Sequence, residues 1–97
     1  MFIGLEGGEK VGICRFDFDA QADIAEVSIN LNPQMRGRRL SAPFLRESIA
    51  LFRERRLCAL AARIRKENIP SIRCFTECGF VFQRSEENFN YYRMAAA

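Results

Sequence analysis

Apolar and polar positions alternate from the start of this chain. Met1–Leu5 and Val11–Phe18 are apolar, β-prone runs, and between them Glu6-Gly7-Gly8-Glu9-Lys10 offers adjacent glycines for a tight reversal. The pattern predicts a hairpin. In its second run Cys14, Phe16 and Phe18 fall on one face and Val11 and Ile13 on the other, so both faces are covered near its start. Asp19–Asp23 is a polar turn. From Ala25 to Leu31 the residues Val27, Ile29 and Leu31 alternate with Glu26, Ser28 and Asn30, the signature of a strand between two different environments. Three consecutive antiparallel strands make a meander.

The period then lengthens. Leu40, Phe44, Leu45, Ile49 and Phe52 recur at helical spacing, which predicts an amphipathic helix from Leu40 to about Arg56. Pro43 is tolerable in its first turn, where the missing N–H has no partner to lose, or else at the cost of a local kink. Leu57–Ile64 returns to alternation with apolar residues on both sides, as expected of a central strand. A strand, a crossover helix and a second strand form a right-handed unit, so Ala25–Leu31 and Leu57–Ile64 are expected as parallel neighbours. Asn68 as N-cap, Pro70 in the first turn and Gly79 as left-handed stop then bracket a short helix. Phe80–Arg84 and Phe89–Met94 read as a closing hairpin around Ser85–Asn88, with Ala95–Ala97 as a frayed tail. The fold class expected is α/β: a mixed, largely antiparallel sheet of five or six strands with two helices. Its centre is expected at Val27, Ile29, Leu31, Leu45, Ile49, Leu60, Ala62 and Phe80.

Ninety-seven residues, 48% of them apolar and nine of them Phe, support one globular domain spanning residues 1–97. No apolar run approaches the roughly 20 residues of a membrane span and no basic, apolar leader opens the chain, so no membrane association and a cytoplasmic location are expected. Cys14, Cys58, Cys74 and Cys78 match no paired metal-ligand spacing, and the chain has no His. They read as reduced packing residues, no metal is expected, and catalytic triads built on imidazole are excluded. The net charge of +3 comes from thirteen Arg and two Lys against twelve acids. Arginine suits bidentate contact with phosphate, so the bias favours an anionic ligand. Nucleic acid is a poor candidate for it, because no RNA- or DNA-binding motif is present and the arginines are spread over several elements.

The stretch that concentrates this chemistry follows the third strand. After Pro33, Gly37 lets the backbone approach a ligand closely, and the first amides of the following helix carry the positive end of its dipole. A phosphate suits such a place, and Arg36, Arg38 and Arg39 add full charges around it. Strand, Pro33 and Gln34-x-x-Gly37-x-Arg39 resemble the acyl-CoA signature of the GNAT superfamily of N-acyltransferases, with Arg39 where that family has a small residue. Farther on, Asn68-x-x-Ser71-x-x-x-Phe75-x-x-x-Gly79-Phe80 is similar to a second element of that family, with Phe75 in the tyrosine place. The two motifs, with Val11-Gly12 opening the strand before, extend the resemblance over nearly the whole chain. It does not extend to the family's first strand and two helices, which help form the acceptor side.

The resemblance implies acetyl-CoA as cosubstrate. Amides near Leu31 would bind the acyl group and pantetheine arm, the turn of Arg36, Gly37, Arg38, Arg39 and Leu40 the pyrophosphate, and Asn68 the pantetheine. It also implies a small amine acceptor, with a faint likeness of Arg15-Phe16-Asp17 and Ala25–Ile29 to acetyltransferase domains of nucleotide-sugar biosynthesis, hence an amino sugar. Glu26, on the polar face of its strand, is the candidate base, since some members that acetylate small amines carry a glutamate there. Phe75 cannot donate a proton to the leaving thiolate, which leaves Cys74, Tyr91 or Tyr92 as substitutes. An alternative is a non-catalytic CoA-binding or regulatory fragment of the same fold. With the family's first elements missing, an open sheet edge and face imply a homodimer that covers them.

Overall fold

The computed structural model describes residues 2–6, 9–32 and 40–96. Six strands and two helices follow one another as β1 (Phe2–Glu6), β2 (Glu9–Asp19), β3 (Ile24–Leu31), α1 (Ser41–Arg55), β4 (Ala59–Arg65), α2 (Ile69–Glu77), β5 (Val81–Glu86) and β6 (Phe89–Met94). They form one sheet in the order β1-β2-β3-β4-β6-β5. Every pairing is antiparallel except β3 with β4, so the mixed, largely antiparallel sheet with two helices agrees with the expectation from sequence. The reversal at Gly7 and Gly8 lies outside the described residues. At the next turn Asp19 Oδ1 accepts from the amides of Gln21 and Ala22, and Asp23 takes φ 53°, a conformation a short polar side chain tolerates.

Helix α1 buries Ala42, Phe44, Leu45, Ser48 and Ile49 against the sheet. Pro43 falls in its first turn, and the Phe44 amide to the Leu40 carbonyl, 3.0 Å, closes the ladder just after it, so the proline displaces no helical bond. Under the helix the Phe16 and Phe52 rings stack with centroids 4.3 Å apart. The side of β1 that faces α1 is kept low by Gly4, where a Cβ would lie 2.7 Å from the Phe44 ring. Helix α2 lies beside α1, joined to it by the Arg46 guanidinium donating to the Glu77 carbonyl at 3.2 Å and by the Cys78 thiol donating to the Ala42 carbonyl at 3.4 Å. Gly79 at φ +102° ends α2, with its own amide bonded to the Thr76 carbonyl and the Phe80 amide to that of Phe75, both 3.1 Å.

Several expectations need correction. Ile29 and Leu31 are half-buried rather than central, because β3 leaves its β4 neighbour before reaching them. Leu57 is 62% exposed, and β4 begins at Ala59. The tail is tied at Ala95, whose carbonyl accepts from Arg53. The four cysteines are free and, as expected, pack: Cys14, Cys58 and Cys74 are buried and Cys78 is half-buried. Both helices pack on one face of the sheet, and the other face carries Glu26, Ser28, Ala59, Ala61, Arg63 and Arg93.

Candidate functional site

The site is made by a parting of strands. β3 pairs with β4 only from Ile24–Glu26 to Ala59–Ala61, although β3 continues to Leu31 and β4 to Arg65. Beyond that rung β3 stays with β2 as far as Leu31 opposite Gly12, while β4 stays with β6 as far as Arg65 opposite Phe89. Two pairings pull the strands apart. Along Val27–Leu31 the backbone edge that faces β4 is therefore left without a strand partner among the described residues, and backbone polar groups need one. Gly12 holds β2 close on the other side, for a Cβ there would lie 2.5 Å from the Asn30 carbonyl oxygen.

The parting opens into a cleft of about 1260 Å³, walled by Ile29, Asn30 and Leu31 of β3, Ser41 and Ala42 of α1, and Asn68, Ser71, Arg73, Cys74 and Glu77 around α2. Both helices point their N-termini into it, where the dipoles favour negative charge. They differ in what they offer. Of α2's first amides, Ile69 is bonded to the Glu67 carbonyl, Pro70 has none, and Ser71 donates to Asn68 Oδ1 at 3.3 Å. At α1 the Ser41 and Ala42 amides lie in a first turn that has no side-chain cap. Among the described residues, α1 is therefore the helix whose first amides no side chain caps.

Leu31 lines the cleft, Leu40 is the N-cap residue of α1, and Asn68 stands at its mouth. With Oδ1 capping α2, the Asn68 amide nitrogen remains as a donor. Arg36, Gly37, Arg38 and Arg39 lie outside the described residues. Glu26 is exposed on the sheet face away from the helices, at the last rung before the strands part. It does not line the cleft, and the two lie beside the same parting of β3 from β4.

Of the three substitute proton donors, the structure brings Cys74 to the cleft wall. The Tyr91 hydroxyl donates to Glu86 at 3.4 Å, and the buried Tyr92 hydroxyl accepts from Asn90. Phe75 is 2% exposed and packs edge-on against Phe80, centroids 5.0 Å apart. Burial raises the Cys74 thiol, only partly offset by the Ser41 hydroxyl beside it, and pushes Cys78 up to about 11. Both keep their protons at neutral pH, so neither is a thiolate nucleophile. Ser41, Arg73 and Glu77 were not singled out from sequence. The available signal was the spacing of Pro70, Arg73, Cys74 and Glu77, one face of a helix turned away from Phe75.

No group of three or more metal-ligating side chains occurs among the described residues, and no helix there is long and apolar enough to cross a membrane. A model of the acetyltransferase (GNAT) family matches residues 1–80. No curated protein matches the sequence significantly. Among solved structures, a chimera of Vibrio cholerae spermidine N-acetyltransferase SpeG with hSSAT superposes with TM-score 0.82 at 12% identity, covering 97% of this chain and 64% of that one. The Campylobacter jejuni N-acetyltransferase PseH in complex with acetyl coenzyme A gives 0.79 at 16% identity, covering 96% and 64%. The GNAT domain of S. lividans PAT gives 0.80 at 26% identity, covering 94% and 57%. The chain spans less than two thirds of the length of each.

Proposed function

The chain belongs to the acetyltransferase (GNAT) family, and from that premise we propose that it is an acetyl-CoA-dependent N-acetyltransferase acting on a small amine, with an amino sugar the favoured kind. The observation that carries this reading is the parting of β3 from β4 beside the uncapped N-terminus of α1. A pantetheine arm is an amide chain, and the unpaired edge of Val27–Leu31 can bond it as a neighbouring strand would. The diphosphate suits the first turn of α1, with Leu40 at its N-cap and Arg36, Gly37, Arg38 and Arg39 assigned to the preceding turn. Asn68 would donate its free amide nitrogen to the arm. The similar structures include a spermidine N-acetyltransferase and an N-acetyltransferase in complex with acetyl coenzyme A, which supports the cosubstrate and an amine acceptor.

Acetyl-CoA supplies an activated acyl carbon. Glu26, at the mouth of the gap, would take the proton from the acceptor ammonium, and the free amine then attacks that carbon as the C–N bond forms and the C–S bond breaks. Amides of β3 near Leu31 would hold the carbonyl oxygen as charge develops on it. With the Cys74 thiol on the cleft wall protonated, transfer would be direct and involve no acyl-cysteine. The nitrogen sheds its second proton to solvent as the amide forms, and CoA departs as thiolate and is protonated by solvent, directly or through Cys74 on the cleft wall, which solvent then reprotonates. A second reading, CoA binding without catalysis, is favoured by Phe75, which is packed in the core where the family places a tyrosine. We assign a cytoplasmic location and a homodimer, in which a second copy covers the exposed Ile3 and the half-buried Ile13 at the β1 side of the open face.

Two measurements test this. Acetyl-CoA and desulfo-CoA should both raise the melting temperature, since a ligand of the folded state stabilises it by mass action. Thiol release with an amine panel should be detected and should fall about 100-fold or more in Glu26→Gln, with acetyl-CoA affinity kept. A melting curve unmoved by millimolar CoA would overturn the acyltransferase reading. A CoA shift without thiol release for any amine would establish the second.

A further inference from the structure

The face of the sheet away from the helices carries, beside Glu26, arginines that the transfer chemistry does not use. On it Ala61 of β4 pairs with Glu26 of β3 on one side and with Arg93 of β6 on the other. Three strands in succession thus present carboxylate, methyl and guanidinium. Adjacent strands lie about 4.8 Å apart, so the backbones bearing Glu26 and Arg93 are roughly 10 Å apart with only a methyl group standing between them. Ala59 continues this low floor one step back along β4, and Arg63 stands one step forward, opposite Tyr91, where the strands part. The result is a trough floored by Ala59 and Ala61, with the Glu26 carboxylate on the β3 bank, Arg93 on the β6 bank, and Arg63 on the floor strand at the end where β3 parts from β4.

The arginines of this face are not equivalent. Arg15 is paired with Asp17 at 3.3 Å, Arg84 is paired with Glu86, and Arg65 approaches Glu67 at 3.9 Å. Arg63 lies over the Phe89 ring, 4.7 Å from its centroid, as does Arg65 at 5.2 Å, an attraction that satisfies no N–H group. Neither Arg63 nor Arg93 has a carboxylate partner among the described residues, and Glu26 has no ion pair there either. Opposite charges left uncompensated across a trough of this width fit a ligand that carries both signs. A polyamine would bring its second ammonium against the arginine bank, and a neutral amino sugar would leave that bank unpaired.

We propose that the acceptor is an amine that also carries an anionic group, a phosphate or a carboxylate, held by Arg93 and Arg63 while its nitrogen lies at Glu26. This rests on the transferase reading above and adds the class of acceptor. Bidentate contact from two guanidinium groups favours such an acceptor over its neutral counterpart and rejects a polycation.

The test compares glucosamine, glucosamine 6-phosphate, 6-aminohexanoate and spermidine as acceptors at fixed ionic strength, in wild type and in Arg63→Gln and Arg93→Gln. The expected result is a kcat/KM at least about tenfold higher for an anionic amine than for glucosamine or spermidine, removed in the arginine variants through KM while acetyl-CoA affinity holds. The phosphate and carboxylate arms identify the anion. Equal rates for glucosamine and both anionic amines, a preference for spermidine, or ratios unchanged in the variants would overturn the proposal. If no amine releases thiol, the transferase reading fails separately. Calorimetric binding of glucosamine 6-phosphate and 6-aminohexanoate then decides the anion site: affinity weakened about tenfold by the variants upholds it, and absent or unaltered binding of both overturns it.

Discussion

Cys14 is fully buried beneath α1, and burial pushes its thiol up to about 11 from 9.0, an effect that the neighbouring Ser48 hydroxyl only partly offsets. The folded chain then holds this proton more tightly than the unfolded chain. Its contribution to stability is complete below pH 9 and is lost as pH rises through about 11. Two pH units correspond to roughly 2–3 kcal/mol. Urea unfolding at pH 8 and pH 10.5 should therefore show a steeper alkaline loss for wild type than for Cys14→Ala, by about 2 kcal/mol; parallel curves would mean that another group carries the alkaline limb. The residue was legible as a packing cysteine from its place in the alternation of β2. Its pKa was not, because it depends on a helix that begins twenty-seven residues later in the chain, at Ser41.

At the scale of elements, α2 shows one side chain assigned to two tasks. Asn68 Oδ1 caps the helix by accepting from the Ser71 amide, and Nδ2 is the group we propose for the pantetheine arm. The two can be separated. Asn68→Asp keeps the capping oxygen, favoured by the helix dipole, but replaces the donor with a charge at the mouth of an anion cleft. Its stability should match wild type within a few tenths of a kcal/mol, whereas acetyl-CoA affinity should fall about tenfold. Asn68→Ala should lose about 1 kcal/mol of stability together with the affinity. Denaturant melts and a CoA titration distinguish them, and an Asp variant with unchanged affinity would remove Nδ2 from the site. The cap, Pro70 and the Gly79 stop were all readable from sequence, since each depends on residues within one turn. The helix's cleft-facing side was not, because Arg73 and Glu77 look like ordinary surface charges until α1 is placed beside them.

Across the whole molecule, the thinnest extent is 18 Å, which accommodates one layer of helices on one sheet. Among the described residues the opposite face and both sheet edges remain open, and they expose Ile3 at 54%, Val81 at 61% and Phe82 at 51%. Edge strands with unpaired backbone next to apolar side chains recruit partners. Light scattering at micromolar concentration should return the mass of two chains, and Ile3→Lys should shift that balance towards one. A monomer at that concentration would overturn the dimer and leave the open face to be explained by its charges alone.

The linear chain by itself determined the elements, their order and the faces they present, because strand alternation, helix period, caps and stops are interactions between near neighbours. It also pointed to the family through two short motifs. The outcome at Ile29 and Leu31 shows the boundary. Their period placed them on the apolar face, yet whether that face is covered depends on how far β3 follows β4, and this is set by the competing pairings of each with β2 and β6. The same parting decides that Glu26 stands at an opening, and the register of β4 against β3 and β6 brings Arg93 across from it. Period tells which way a side chain points; only the packed sheet, in which Glu26 meets Ala61 and Ala61 meets Arg93 across more than thirty positions each, decides what it points at.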